Sequence, residues 1–434
     1  MLAGWGCVLS LLFLLSLTAD SLTASSWIGM NMVMQAFIML SDVPADGYSV
    51  ELGQRETGKK RGQILATGQI IRFSFSILAG AIQTFLVNGP TTNDPSCAVG
   101  WTECWEFGLT IQQYYSLIFL LVLLLCLPVL ILKELDSSHI PLRPVKEFIF
   151  EIWDTMQNLT TLSLIIYVIG IMAFGQLVNN AATYIQYYVI DLTNFQSGID
   201  TMTSYGALVI AIWIFKRYLI HINWRYTTYL SCIVTSVLGL LWIPVFYNFA
   251  GMRNAWFTIF VEMDQAFTSG LSQVLFSMAV IELAKPGQEA TTYELVVSVA
   301  NAAITLSGVI STQLLYPVGA NGCTVQPCRS NTVDLTSTDS YLSTQGPWRF
   351  TCYTLLLIIT SISATLLFVK FLPRTKEQCH EWKEIGDFSG NRTIRGAIGL
   401  LLSSAVVFYG IIASVLLLDK HTACLPEIGG SGCR

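Results

Sequence analysis

Runs of about 20 predominantly apolar residues, the length that crosses a bilayer as a helix, recur along the whole chain. They lie at 2–19, 27–47, 64–88, 111–132, 161–188, 201–219, 227–247, 256–283, 291–316, 350–371 and 396–418. Short polar segments separate them. The pattern predicts an all-α fold, a polytopic membrane bundle of about eleven transmembrane helices. The first run sits in MLAGWGCVLSLLFLLSLTADS, which lacks the basic start of a secretory signal and is read as a span.

The polar segments differ in sign. Those at and after the second, fourth, sixth, eighth and tenth spans hold 17 of the 23 Lys and Arg, among them Lys59, Lys60, Arg61, Lys133, Lys216, Arg217 and Lys376. The opposite set holds only Arg253, Arg329, Arg349, Lys420 and Arg434. Basic loops stay in the cytoplasm, so the N-terminus is expected inside and the C-terminus outside. Composition agrees with the membrane reading: 53% of residues are hydrophobic and 12% charged, against roughly 25% charged in soluble domains. The net charge of −5 adds little, because loops dominate it. Plasma membrane is the default location, with an organelle membrane left open. Cys97, Cys104, Cys323, Cys328, Cys424 and Cys433 all fall on the external, oxidising side and are disulfide candidates. The sequons at Asn158 and Asn391 fall inside and are expected to carry no glycan.

Internal similarity divides the chain. SVELGQRETGKKRGQILATGQI, after the second span, resembles AVIELAKPGQEATTYELVVSVAN, after the eighth, with Glu51 and Glu282 as counterparts. Copies six spans apart on one face of the membrane suit two parallel six-helix repeats, as in the major facilitator architecture. The expected organisation is an N-terminal half at 1–132 with four spans, a cytoplasmic central loop at 133–160, and a C-terminal half at 161–371 with six. A cytoplasmic linker at 372–395 and an accessory span with an external tail at 396–434 follow. Matching the halves leaves the first two of the usual twelve helices missing and one helix added at the C-terminus.

Charges inside spans are expensive and mark function. Asp42 and Asp46 lie one helical turn apart around Pro44, with Gly47 expected to end or bend the helix. Arg72 lies about two turns into the third span, at a depth that suits pairing with both aspartates. In the eighth span Asp264 is the better candidate for a cavity, while Glu262, two positions earlier and off its face, is expected near the wet outer end. Asn179 and Asn180, with Gln176 and the tyrosines that follow, could bind a planar polar ligand or hydrogen-bond neighbouring helices.

The run DVPADGYSVE, then GKKRGQ, then IIRF resembles the folate–biopterin transporter family of the major facilitator superfamily, as does ELAKPGQEATTYELVVSVAN. The resemblance covers about residues 27–375. It implies gradient-driven movement of folate, pterin or a related small molecule across the bilayer, with Asp42, Asp46, Glu51, Arg72, Glu282 and Glu289 at family-like positions. The missing first helices and the added last one depart from that pattern.

Other classes lack their signatures. There is no GxxxxGK[ST] phosphate loop, and His139, His221, His380 and His421 are too scattered for a metal site. Asp42 and Asp46 share one helix, unlike the paired aspartates of an intramembrane protease. No enzyme activity, cofactor, metal or nucleic-acid partner is therefore expected, and the oligomeric state is open. The partners expected are the lipid bilayer and a folate- or pterin-like small molecule. The rival reading is a non-transporting paralogue, receptor-like or structural, without a complete translocation path.

Overall fold

The structure is a computed structural model, described over residues 2–56, 62–87, 108–131, 144–190, 192–220, 222–283, 289–315, 346–388 and 391–417. Among the described residues there is no strand, and eleven helical stretches are long and apolar enough to cross a membrane. They match the sequence expectation run for run, from Leu2–Ser21 to Arg392–Ala413. This is the build of an integral, multi-pass membrane protein.

The helices are α1 (Leu2–Thr18), α2 (Ala24–Arg55), α3 (Gln63–Ile82), α4 (Ile111–Ile131), α5 (Val145–Met156), α6 (Leu159–Gly170), α7 (Asn180–Ile185), α8 (Asn194–Ile214), α9 (Trp224–Gly239), α10 (Trp242–Phe246), α11 (Ala255–Leu283), α12 (Glu289–Leu315), α13 (Gly346–Phe368), α14 (Lys376–Phe388) and α15 (Arg392–Leu417). Helices α1, α2 and α4 pack together over a small core of Val8, Leu12, Leu15 and Tyr115. A larger core joins the inner ends of α2 and α3 to the later helices through Val50, Leu65 and Ala66. The tightest packing runs α3–α8–α11. Gly270 makes the last step possible: a Cβ there would come within 3.0 Å of the Leu208 carbonyl oxygen and 3.2 Å of the Ala211 side chain. Small residues at such crossings let backbones approach, which is how membrane helices gain packing energy without a hydrophobic drive between them.

Helix α11 is the central post, with every side chain from Val274 to Leu283 buried. The outer surfaces read the other way. Leu124, Ile359, Leu366 and Phe408 stand exposed, as lipid-facing positions should when the solvent is hydrocarbon. Helix α15 lies along α12 and reaches α5 and α6, and Arg392 of α15 pairs with Asp154 of α5 at 3.0 Å.

Four expectations need correction. The second span does not stop or bend out at Gly47 but runs as helix to Arg55, through Pro44. A proline removes one backbone bond while keeping a helical φ, which does not end a helix held by neighbours on both sides. The fifth span, expected to be continuous over 161–188, is interrupted between α6 and α7. The two connectors expected on the cytoplasmic side are not plain loops: 133–160 contains α5 and 372–395 contains α14. Both have charged and apolar faces, a pattern of period 3.6 that is too short and too charged to register as a span.

Candidate polar sites within the bundle

Helices α2 and α3 run antiparallel, and contacts at their facing ends, from Glu56 and Gly62, fix how they meet. The Glu56 carboxylate accepts hydrogen bonds from the backbone N–H groups of Gly62 (2.7 Å) and Ile64 (3.2 Å) at the start of α3, where an anion is favoured. Gly62 has φ +91°, and a Cβ on it would strike the Met278 sulfur, so only glycine fits this step of the turn. On the same side Gln54 Nε2 donates to the Ile281 carbonyl at 3.1 Å. These contacts dock the facing ends of α2 and α3 onto the C-terminal end of α11.

This antiparallel register sets the charges of the two helices at one depth. Asp46 and Arg72 each lie nine residues from the inner ends of their helices, about 14 Å at 1.5 Å per residue. The Arg72 guanidinium pairs with Asp42 and reaches Asp46 at 3.7 Å. Tyr293 and Glu294 of α12 lie within electrostatic range of the same cluster. The structure therefore brings Asp42, Asp46 and Arg72 together, and places them where α2 and α3 meet α12.

The remaining acids of the repeated turn do not share one environment. Glu51 sits on the last turn of α2 and pairs with Arg55 across one helical turn, half-exposed. Glu282 is 3% exposed and faces His380 Nε2 of α14 at 3.0 Å. Glu289 opens α12, and its side chain is outside the described residues. Cys97, Cys104, Cys323, Cys328, Cys424 and Cys433 are outside them too.

The second polar site is the interruption of the fifth span. After α6 a π-helical turn at Ile171–Gly175 is followed by non-helical residues 176–179 before α7 resumes. Opening a helix inside a membrane frees carbonyls that must find donors. Here hydroxyls on other spans supply them. Ser361 of α13 donates to the Gly175 carbonyl (2.6 Å), Ser307 of α12 to that of Gln176 (2.9 Å), and Ser311 to that of Val178. The amides are used likewise. Gln176 donates to Ser272 at 2.6 Å, Asn179 to Thr354 at 3.2 Å and Asn180 to Thr312 at 2.9 Å. Asn180 thus takes the helix-bonding role that the sequence left open, whereas Asn179 also lines a cavity.

Two cavities with some lining residues in common lie near the break. The smaller, about 70 Å³, is lined by Asn179, Trp242, Asp264 and Thr354 among others. The larger, about 420 Å³, lies between α8 and α11 and is lined by Gln186, Asp200, Ser204 and Ser269. Thr183, Glu262 and Gln265 line both. The sequence reading placed Glu262 near the wet end and off the face of Asp264. Instead both border the smaller cavity, and Glu262 accepts a hydrogen bond from Gln186 at 2.7 Å. The two-residue spacing spreads them around α11, but a concave wall made by α7, α9 and α13 receives both directions.

Asp200 was missed because the sixth span was read as starting at residue 201, which left it outside. Helix α8 begins at Asn194, so Asp200 lies within its second turn. The serines and threonines that satisfy the break were missed as well. A hydroxyl inside an apolar run carries no periodic signal of the partner it serves.

No protein-family model matches the chain, and no curated protein does. The family resemblance accordingly rests on the motif residues themselves.

Proposed function

We propose that this chain is a secondary active transporter that moves a small polar organic molecule by alternating access, coupled to protons or another cation. The observation that carries the reading is the interrupted fifth span at Gly175–Asn179, whose freed backbone is held by hydroxyls from α12 and α13 beside a polar cavity. Membrane proteins tolerate irregular backbone only where it is buried in protein or lines a cavity, and discontinuous helices form substrate and ion sites in transporters. The Arg72–Asp42/Asp46 cluster at the junction with α12 supports the same reading. Ion pairs that span moving helices can be made in one state and broken in another. The two-half major facilitator arrangement and a folate- or pterin-like cargo belong to this proposal on the strength of the motifs DVPADGYSVE, GKKRGQ and IIRF.

Uptake of radiolabelled biopterin and folate into a transport-deficient host tests it. The expected outcome is saturable uptake of at least one compound, reduced tenfold or more by Asp46→Asn and by Arg72→Ala with the variants still in the membrane. Currents or flux without saturation point to a channel instead. Absence of any uptake from a well-expressed chain favours the non-transporting alternative.

A further inference from the structure

Polar side chains line up on the spans that meet at the Arg72 cluster. On α2, Gln35, Asp42 and Asp46 follow one another at spacings of seven and four, which keeps them on one helical face. On α12, Glu294, Ser298 and Asn301 follow at spacings of four and three, again on one face. The stripes start from one place. Arg72 of α3 pairs with Asp42 and reaches Asp46 at 3.7 Å, and Glu294 lies within electrostatic range of all three. Helix α2 ends where α11 ends and α12 soon begins. The two stripes therefore climb from the cluster in the same direction, to Gln35 on α2 and to Asn301 on α12. Gln35, Arg72, Ser298 and Asn301 are exposed, and the three acids are half-buried. Charged and amide side chains within spans face a bundle interior or water, because hydrocarbon solvates neither. The lipid side of α3 lies elsewhere on the same helix: Ile71, Phe75 and Leu78, at spacings of four and three, form a separate stripe, apolar and about half-exposed.

We propose that the polar face shared by α2, α3 and α12 is an aqueous path within the membrane, wetted from the Arg72 cluster to Gln35 and Asn301, and that it admits positively charged solutes in preference to negatively charged ones. Three carboxyl groups against one guanidinium set that preference, since a cleft lined by an excess of one sign concentrates the other. Water meets every group on the face, whereas lipid would meet an ion-pair cluster, an amide and a hydroxyl on one wall. The inference rests on the transporter reading for the role of this path in moving a cargo, but its wetting is measurable without transport.

The test is thiol labelling of the full chain in proteoliposomes, with membrane-impermeant methanethiosulfonates, one cationic and one anionic, present on both sides of the bilayer. Gln35→Cys, Ser298→Cys and Asn301→Cys each add a thiol on the path, and Ile359→Cys adds one on an exposed apolar surface of α13. Wild-type protein gives the background from the native cysteines. The expected result is labelling by the cationic reagent at least roughly tenfold faster at each path position than at Ile359→Cys, because a charged reagent does not enter hydrocarbon. At Ser298→Cys, one turn from Glu294, the cationic reagent should outpace the anionic one at least roughly threefold, each rate divided by that with a free thiol, and Glu294→Gln should narrow the gap. The three positions lie on two helices, so the test stands if one variant fails to fold. Labelling no faster than at Ile359→Cys overturns the proposal. So does labelling that appears only in detergent, which would assign the face to lipid or to a second copy of the chain, and so does equal or faster reaction of the anionic reagent. Saturable uptake with an unlabelled face removes this path and leaves the transporter reading standing. A labelled face with no uptake does the reverse.

Discussion

Arg72 offers the sharpest case at the scale of single residues. Its guanidinium projects from a helix of membrane-spanning length against two carboxylates, and neither sign is comfortable alone within a span. Removing the cation in Arg72→Ala leaves two acids facing each other, whereas Asp42→Asn leaves a one-to-one pair. Arg72→Ala should therefore lower the thermal unfolding midpoint of the purified protein more than Asp42→Asn does. Adding Asp42→Asn to Arg72→Ala should recover part of the loss, the non-additivity expected of residues in contact. Additive effects in that cycle would mean that the three charges act separately. The cluster was legible in the sequence because one-turn spacing and depth along antiparallel helices are simple arithmetic. The neighbours from α12, Tyr293 and Glu294, were not legible. They approach from a distant part of the chain, and nothing in the local pattern says which helix will lie there.

Among the elements, the interrupted fifth span and helix α14 carry the predictions. Ser361 is buried and donates to a carbonyl that the break has freed. Ser361→Ala should destabilise the protein by about 1–2 kcal/mol, the cost of leaving a buried acceptor without its donor. An equally conservative exchange at lipid-facing Leu366 should leave thermal stability unchanged within error. Helix α14 is fastened partly by His380 against the buried Glu282. His380→Ala should loosen it, read as faster trypsin cleavage at Lys376 or Lys383 in inside-out vesicles. Protection equal to wild type would show that apolar contacts alone hold the helix. Span existence was readable because a run of apolar residues is a property of composition, and composition is local. The break at 176–179 was not, since Gly175, Gln176 and the two asparagines are each tolerated within helices. What opens the helix there is the set of hydroxyls waiting on α12 and α13, and that is tertiary information. Pro44 makes the converse point: a residue with a strong local reputation for ending helices is overruled by packing on either side.

For the whole molecule, the distribution of basic residues leads us to expect Asn158 and Asn391 on the cytoplasmic side. Asn158 is additionally 7% exposed and caps the start of α6, accepting from the Thr160 N–H at 3.0 Å. Treatment of the protein from a glycosylating host with an endoglycosidase should leave its mobility unchanged; a shift abolished by Asn391→Gln would invert the topology. The central claim is that the bundle carries a solute by exposing one site to each side in turn. Counterflow in proteoliposomes of the purified chain tests it most directly, because it needs no driving gradient. Vesicles loaded with unlabelled biopterin should take up labelled biopterin transiently above its external concentration, with saturation, and empty vesicles should not. Labelled solute that only equilibrates, at the same rate with or without internal cargo, would contradict alternating access.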